Sequence, residues 1–416
     1  MTWKDYITEI VLSHVRNIPP CSILLSKEHR SHLIVTGPNG SGKTTLVNDL
    51  YRSLNLNLGI LWDFVTEAKK KGFNTLEEIY QYYIANSQGL FGKQLIGIET
   101  KQKDLPLYTD LSMNPLYYLA KDNKDFFIYF SEAHRKENFQ KPEGPHALKK
   151  GATGNQFLQL MVNFKTQQAY LYEDINRESD TSKKAKLEKE YEQYKNWFKK
   201  LDKALSKLLG HKNFKIEYER EKYNFLIVED GKAPYEFKQL SDGYAAILKV
   251  MTDIMLEMSD QPVSEYQKPG IAIIDEIETH LHVELQQKIL PFLTELFPNV
   301  QFVVTTHSPF VLSSISDVKI FDIATQTTYD SFTQYSYSNI VEGYFNVSQF
   351  SNEIIEDFKQ AEIILQKDSF TESDKTFLIV FDKKVNTSID NGKPLQLKRK
   401  WLDLKIKNRE KLYDIF

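Results

Sequence analysis

The chain has very little cysteine, no long apolar run and no strong excess of charge of either sign. Cys21 is the only cysteine among 416 residues, so an internal disulfide is excluded and a reducing compartment is favoured. No apolar run approaches the roughly 18–20 residues that a membrane-spanning helix needs, and the N-terminus carries no signal-peptide pattern. We therefore expect a cytoplasmic protein with no membrane partner.

The overall charge argues against a basic field for nucleic acid over the whole protein. The formal net charge is −3, and 41% apolar with 26% charged residues is usual for a globular chain. Nucleic acid stays open as a partner only through local patches, such as the basic segment from Lys398 to Lys411. A solvated amphipathic helix with Trp401, Leu404 and Leu412 facing inward is the favoured interpretation of that segment.

The most informative segment runs from Gly37 to Thr44 and reads Gly-Pro-Asn-Gly-Ser-Gly-Lys-Thr. It follows the apolar run Leu33–Val35 and precedes a helix-like stretch, which is the strand–loop–helix context of a phosphate-binding P-loop. Its backbone N–H groups would cradle phosphates, Lys43 would reach the β- and γ-phosphates, and Thr44 would bind Mg²⁺. The predicted nucleotide-binding residues here are Gly37, Pro38, Asn39, Gly40, Ser41, Gly42, Lys43, Thr44 and Thr45.

Three further motifs follow downstream. Leu240–Tyr244 reads Leu-Ser-Asp-Gly-Tyr and precedes an apolar stripe at helical spacing, formed by Ile247, Met251, Ile254, Met255 and Met258. The apolar run Gly270–Ile274 ends in Asp275 and Glu276, which predicts a buried strand with two carboxylates at its carboxyl end. A second such strand, Phe302–Thr306, ends at His307.

The order of these motifs resembles the ATP-binding-cassette ATPase superfamily, over most of residues 9 to 325. The resemblance implies that ATP is the nucleotide, that Asp275 holds Mg²⁺, and that Glu276 polarises the attacking water. It implies that His307 contacts the γ-phosphate or its water. It also implies that Ser241 and the backbone at Gly243 cap the γ-phosphate bound by a second subunit. A homodimer or higher oligomer with composite sites is therefore expected, and a lone protomer should hydrolyse ATP poorly.

Two segments resemble the RecF-like and OLD-like branch of this superfamily (OLD stands for overcoming lysogenization defect). The residues from Asp275 to Gln286 resemble an Asp-Glu-x-Glu-x-His-Leu-His-Pro stretch, with Val283 where proline is usual, and Thr305–Pro309 resembles the switch segment of the same branch. Glu278, His280 and His282 also admit a metal-site interpretation, although the further ligands that a zinc site usually needs are not recognisable.

A helical insertion separates the two halves of the core. Its second half carries a heptad seam, with apolar residues spaced alternately by four and three: Leu187, Tyr191, Tyr194, Phe198, Leu201, Leu205 and Leu208. Gly210 is predicted to end this helix, and Asp180 or Ser182 to begin it. An upstream apolar stripe completes a predicted antiparallel hairpin, with Phe157, Leu160, Met161, Phe164, Leu171 and Ile175. SMC-like relatives place their coiled coils at this point, and packing on its own subunit or against a partner both stay open.

The predicted fold class is α/β, with an ABC-ATPase-like P-loop core of mixed sheet and flanking helices, a helical hairpin insertion and a small C-terminal extension. Predicted domains are an ATPase lobe over 1–150, the hairpin over 151–211, a second ATPase lobe over 212–325 and an α/β extension over 326–416. Residues 55–120 are expected to be mainly helical. Strands are expected at Ile10–Val15, Ile23–Leu25 and Phe126–Phe130, as a hairpin over Phe214–Val228, and at Phe377–Phe381.

One loop departs from the superfamily pattern. The superfamily often has a glutamine-bearing loop where this chain reads Ser131-Glu132-Ala133-His134-Arg135, so no residue is assigned that role, and Arg135 near the phosphates is the alternative.

Functional expectations follow from the branch and from the segment after residue 325. That segment contains no Asp-x-Asp pair of the kind that TOPRIM nucleases carry, so we expect no nuclease activity in this chain. The chain resembles the stand-alone ATPases of bacterial antiphage systems such as Septu, PARIS and some retrons, in which a separate nuclease or toxin is the effector. The leading hypothesis is an ATPase that assembles with ATP and regulates such an effector. The alternatives are a RecF/SMC-like DNA repair ATPase stimulated by DNA, a nucleotide-locked scaffold and, more distantly, a transporter subunit.

Overall fold

The computed structural model describes residues 6–12, 18–26, 28–52, 54, 70–72, 107–110, 127–133, 139, 142–148, 156–211, 213–258, 268–345, 352–387, 395–413 and 415. The chain forms two compact units, Met1–Tyr337 and Ser338–Phe416. Within the described ranges, no helix is both long and apolar enough to cross a bilayer.

The first unit contains all of the described strands, which are β1 (Glu9–Leu12), β2 (Cys21–Leu24), β3 (His32–Thr36), β4 (Leu107–Asp110), β5 (Phe127–Ser131), β6 (Lys215–Glu219), β7 (Asn224–Val228), β8 (Tyr235–Glu236), β9 (Gly270–Ile274), β10 (Val300–Thr305), β11 (Val318–Asp322) and β12 (Thr327–Tyr329). Its described helices include α1 (43–52), α2 (Phe157–Arg177), α3 (Thr181–Leu209), α4 (Asp242–Met258), α5 (Val283–Leu296) and α6 (Pro309–Leu312).

The central sheet has six strands in the order β12-β11-β3-β10-β9-β5. All of its pairs are parallel except β11 with β12, so the sheet is mixed and confirms the predicted fold class. Strands β9 and β10 are buried at every position, which explains why β9 and the Phe302–Val304 part of β10 read as apolar runs rather than alternating patterns. Because parallel strands share an orientation, the segments that follow β3, β9 and β10 meet at one edge.

A second sheet, β2-β1-β4, is antiparallel, and a buried amide connects the segment before β1 to the central sheet. Gln301 on β10 accepts a hydrogen bond from the backbone N–H of Ile7 at 2.7 Å and donates to the carbonyls of Ile7 and Ser31 at 3.0 and 2.7 Å. Full burial of a polar side chain is tolerated here because both ends of the amide have partners.

The strand β4 corrects part of the expectation for residues 55–120. Leu107–Asp110 pairs with β1, with Glu9 opposite Asp110, within a segment expected to be mainly helical. The pairing partner lies about a hundred residues earlier, so local pattern could not find it. Nearly all of the rest of that predicted helical region lies outside the described residues, as does the predicted continuation of β1 to Val15.

The predicted helical hairpin is confirmed as α2 and α3. The Asp180 side chain accepts from the backbone N–H groups of Ser182 and Lys183 at 2.8 and 3.0 Å, and Gly210 ends α3 in the left-handed conformation at φ 74°. The seam residues from Tyr194 to Leu208 are buried, whereas Leu187 and Tyr191 are only half-buried.

The base of the hairpin packs on its own subunit. Lys200 Nζ donates to the carbonyl of Leu296 at 2.9 Å, and Lys207 pairs with Glu295 on α5 at 2.8 Å. Lys288 Nζ on α5 donates in return to the carbonyl of Leu208 at 3.2 Å. The insertion is therefore anchored to the helix that follows Asp275 and Glu276.

The predicted hairpin over Phe214–Val228 is confirmed as β6 and β7, and β8 extends it to a three-stranded antiparallel sheet. Helix α4 follows, and all five residues of its predicted apolar stripe are buried.

The regular elements in the described part of the second unit are all helices. A short helical turn, Tyr337–Asn339, spans the boundary and continues as the π-helical segment Ile340–Tyr344, followed by α7 (Asn352–Gln366), α8 (Glu372–Thr387), α9 (Leu395–Lys407) and α10 (Arg409–Leu412). The predicted strand at Phe377–Phe381 is wrong, because these residues lie inside α8. Trp401 and Leu412 are buried in the core of this unit and Leu404 packs against it, which confirms the amphipathic interpretation of the basic segment.

A half-buried histidine at the start of β3 makes stability depend on pH. The Nδ1 atom of His32 accepts from the backbone N–H of Phe302 at 3.0 Å, and burial lowers the pKa of His32 to about 4. The unfolded chain binds this proton near pH 6.5 while the folded chain does not, so stability falls as pH drops from about 6.5 towards 4.

We expect that fall to reach on the order of 2 kcal/mol for this group. His32→Asn keeps an acceptor near the Nδ1 position without a titrating ring, so its thermal midpoint should depend less on pH across this window. Equal pH dependence in the variant and the wild type would contradict this role of His32.

Candidate nucleotide-binding site

The predicted nucleotide-binding motifs meet at the carboxyl edge of the central sheet. The loop 37–42 follows β3, Asp275 and Glu276 follow β9, and His307 lies two residues beyond β10. These three strands are neighbours, with β10 between β3 and β9. The sheet order therefore brings together residues that are more than 200 positions apart in the sequence.

The glycines of the loop are required by its backbone. Gly37 has φ 141°, and a Cβ there would lie 2.8 Å from Cγ2 of Ile323. Gly40 and Gly42 also have positive φ values, at 77° and 102°. Helix α1 begins directly after the loop, so the loop amides and the helix N-terminus face the same position, as anion binding requires.

Lys43 is a buried cation at the centre of the site. Only 6% of the residue is exposed, and its Nζ donates to the carbonyls of Gly37 and Pro38 at 3.0 Å each. Burial lowers the pKa of Lys43, while the carboxylates of Glu276 and Glu278 act in the opposite direction. These neighbours support a charged ammonium suited to bind phosphate oxygens.

Thr44 and Asp275 form the pair that could hold a divalent cation. Thr44 Oγ1 donates to Asp275 Oδ2 at 2.9 Å, and Asp275 is buried. A hydroxyl and a carboxylate are the oxygen ligands that Mg²⁺ prefers when phosphates and water complete its octahedral shell. The residues present therefore fit Mg²⁺ together with a nucleotide.

Glu276 lies in a tight turn with its backbone in the left-handed region, at φ 45°. Its N–H donates to Thr305 Oγ1 at 2.7 Å, and its Oε2 accepts from Thr279 Oγ1 at 3.3 Å. The side chain is partly exposed, whereas Asp275 beside it is buried. Glu276 is thus the carboxylate of the pair that a water molecule can approach.

His307 lies in the loop between β10 and α6. Its backbone N–H donates to Glu278 Oε1 at 2.6 Å, and the following residue, Ser308, donates through Oγ to Gln286 Oε1 at 2.6 Å. Burial and then the Lys43 cation lower the pKa of His307, which favours the neutral imidazole. A neutral ring can donate one hydrogen bond and accept another.

The signature residues lie at the start of α4. Ser241 is exposed, and its carbonyl accepts from the N–H groups of Tyr244 and Ala245 at 3.0 and 3.2 Å. Gly243 is buried against the turn after β9, where a Cβ would lie 3.1 Å from the carbonyl oxygen of His280 and 2.9 Å from Cδ1 of Leu285. Close packing in its own subunit is therefore sufficient to require glycine at this position.

Three sets of predicted residues remain, which are the other residues of the loop, the candidate metal ligands and Arg135. Pro38, Asn39, Gly40 and Thr44 are exposed, and Ser41 and Thr45 are half-buried beside them. The metal interpretation of Glu278, His280 and His282 finds no support, because no cluster of three or more His, Cys, Asp or Glu in the described ranges is arranged to bind a metal. Arg135 lies outside the described residues.

Two side chains of this site, Thr305 and Asp322, were assigned no role from the sequence. Thr305 Oγ1 donates to Asp275 Oδ1 at 2.6 Å, and Asp322 ends β11 with its Oδ1 atom accepting from the N–H of Ala324 at 2.8 Å. A threonine or aspartate at the end of a strand is common, so only the strand order identifies them. Polar residues ending adjacent parallel strands were the available signal.

Comparison with known proteins gives matches to the predicted class. Residues 121–313 match the protein family described as "AAA domain, putative AbiEii toxin, Type IV TA system". The chain is 40% identical to a retron Ec83 probable ATPase of Escherichia coli over 98 residues, which are 23% of this chain and 18% of that protein. It is 38% identical to a Septu protein PtuA of Bacillus mycoides over 85 residues, which are 20% of this chain and 12% of that protein.

The chain thus spans less than a fifth of the length of these relatives. Among solved structures it is similar to an SMC head domain from Thermotoga maritima, at 12% identity and a TM-score of 0.34, over 76% of this chain and 94% of that chain. That score is too low to support an argument. The sequence matches confirm the predicted resemblance to the P-loop ATPases of antiphage systems, through the Septu and retron relatives.

Proposed function

We propose that this chain binds ATP with Mg²⁺ and hydrolyses it at the carboxyl edge of the central sheet. The observation that supports this most is the contact between Thr44 Oγ1 and Asp275 Oδ2, because it joins the phosphate loop to the strand that carries Glu276. In this proposal the loop amides and Lys43 hold the phosphates, and Thr44 and Asp275 hold the metal.

The residues have separate tasks in hydrolysis. Glu276 accepts a hydrogen bond from the attacking water and polarises it, which is favoured by its partial exposure. Lys43 and the loop amides stabilise the charge that spreads over the γ-phosphoryl oxygens, and Mg²⁺ when bound supplies further neutralisation. The neutral imidazole of His307 donates to the γ-phosphate or to the attacking water.

The second part of the proposal is that two protomers complete each other's sites. Ser241 is exposed on the described surface, where the signature of one subunit would reach the nucleotide of another. The γ-phosphate would then form a charged bridge between subunits, and its loss on hydrolysis would release them.

Ser241→Ala tests the composite site. We expect the rate of ATP hydrolysis to fall about 10- to 100-fold while each protomer binds ATP within about twofold of wild type, because the lost donor belongs to the other subunit's site. Ser182→Ala, which removes an exposed hydroxyl from α3, serves as the control.

Mixing the Ser241→Ala and Glu276→Gln proteins should restore hydrolysis above the mean of the two separate proteins. In a mixed pair, one site combines an intact Glu276 with an intact Ser241. A mixture that only averages its components would contradict the composite site.

The third part of the proposal is that ATP-dependent assembly regulates a separate effector, a nuclease or toxin, in defence against phage. The similarity to Septu and retron ATPases supports it, and so does a hairpin that is anchored to α5, the helix that follows Glu276. Co-purification of the Glu276→Gln protein with the products of neighbouring genes should recover an effector when ATP is present. Recovery of no effector, together with DNA-stimulated hydrolysis, would instead favour a RecF/SMC-like repair ATPase.

A further inference from the structure

Thr305 is the last residue of β10, and it is fully buried beside the acidic pair. Its Oγ1 atom donates to Asp275 Oδ1 at 2.6 Å and accepts from the backbone N–H of Glu276 at 2.7 Å. The hydroxyl group of Thr305 is therefore a donor to Asp275 and an acceptor from Glu276, two consecutive residues that follow the neighbouring strand β9.

The first of these hydrogen bonds fixes the orientation of Asp275. Since Oδ1 accepts from Thr305, the other oxygen, Oδ2, is the one that faces Thr44, at 2.9 Å. Rotation of the carboxylate out of this plane would break both contacts. Thr305 thereby holds the carboxylate of Asp275 in the orientation that presents one oxygen to the cation that Thr44 would share.

The second hydrogen bond fixes the backbone of Glu276. A glutamate with φ 45° is in a conformation that residues other than glycine seldom adopt, and the surrounding structure must hold it there. Thr305 supplies two contacts for this purpose, because its carbonyl also accepts from the N–H of Ile277 at 3.1 Å. The turn is thus held on both sides of Glu276 by one residue.

We propose that Thr305 is a positioning residue for ATP hydrolysis, whose hydroxyl sets both the orientation of the Asp275 carboxylate and the backbone turn from which the Glu276 side chain extends. This inference rests on the proposed ATPase function. It adds a residue that acts through the carboxylate of Asp275 and the backbone of Glu276.

The test is a set of substitutions at this position in the full chain. Thr305→Val keeps the branched shape and removes the hydroxyl, which leaves the N–H of Glu276 without its acceptor. We expect kcat for ATP hydrolysis to fall about 10- to 100-fold, with the Kd for ATP measured without Mg²⁺ staying within about twofold. The Mg²⁺ concentration that gives half-maximal activity should rise, which a purely structural residue would not cause.

Thr305→Ser and Thr305→Ala provide a second comparison, which still tests the role of the hydroxyl group if the Thr305→Val protein folds poorly. Both lack the methyl group and differ only in the hydroxyl, so serine should keep kcat within about threefold of wild type and alanine should not. Thr252→Val is the matched control, since Thr252 is also buried but its hydroxyl bonds only the carbonyl of Leu248 in α4.

Wild-type kcat in Thr305→Val, or equal kcat in the serine and alanine proteins, would overturn the role of Thr305 while leaving the ATPase proposal intact. A wild-type chain that binds ATP but does not hydrolyse it would overturn the proposed function itself, and the role of Thr305 with it.

Discussion

Glu276→Gln should lower the rate of ATP hydrolysis by about 10²- to 10⁴-fold while leaving ATP affinity within about threefold of wild type. The amide has nearly the same shape as the carboxylate, but it cannot polarise water as a base. The backbone N–H of Glu276 keeps its hydrogen bond to Thr305 in the variant, so the turn should retain its geometry.

The measurement is steady-state phosphate release together with equilibrium binding of a labelled nucleotide. Glu188→Gln, on the exposed face of α3, gives the effect of the same chemical change away from the site. Hydrolysis within threefold of wild type in Glu276→Gln would show that another group activates the water.

Lys43→Ala should abolish hydrolysis because it weakens nucleotide binding and also removes the cation that stabilises the γ-phosphoryl charge. Lys43 is buried and hydrogen-bonded, and loss of a buried charged partner costs about 2–5 kcal/mol, so ATP affinity should fall at least about 30-fold. The carboxylates of Glu276 and Glu278 would also lose the nearby cation that offsets their charge.

Isothermal titration with ATP and Mg²⁺ measures this directly. The control is Lys207→Ala, which breaks an exposed ion pair with Glu295 and should change affinity and stability little. Retained ATP affinity in Lys43→Ala would place the nucleotide elsewhere. Together the two variants separate binding from catalysis, because Glu276→Gln should retain the nucleotide and Lys43→Ala should not.

The parts of the fold that were predictable are those whose pattern is local. The loop from Gly37 to Thr44 needs its glycines for backbone reasons that hold in any context. Strand β9 and the Phe302–Val304 part of β10 are apolar because both faces of the sheet are covered. The hairpin was predictable from the seam and from Asp180 and Gly210 at the ends of α3, since capping depends on neighbours within a few residues.

The strand predicted at Phe377–Phe381 shows where local pattern fails. Five consecutive apolar residues are typical of a buried strand, but Leu378 and Phe381 are buried around Trp401 while Ile379 and Val380 are 45% and 58% exposed. One face of a helix is therefore covered and the other is not. Packing within the second unit overrides the β preference of the segment.

The sequence predicts the site residues that belong to a recognisable motif. It does not predict the role of residues whose contacts depend on which strands are neighbours in the sheet. Asp275, Glu276 and His307 stand at strand ends in a recognisable order. Thr305 is an ordinary strand residue by composition, and its contacts with Asp275 and Glu276 exist only because β10 lies beside β9. Side chains of that kind require the strand order before they can be identified.

The most direct test of the account is the mass of the Glu276→Gln protein in solution, measured by light scattering with ATP and Mg²⁺, with ADP and Mg²⁺, and without nucleotide. The composite site predicts that the mass rises at least twofold from 48.6 kDa with ATP and Mg²⁺ and stays unchanged under the other two conditions. The mass should not rise under any condition when Lys43→Ala is added to the Glu276→Gln protein. The same mass under all three conditions, in a preparation whose wild type hydrolyses ATP at full rate, would contradict ATP-driven assembly.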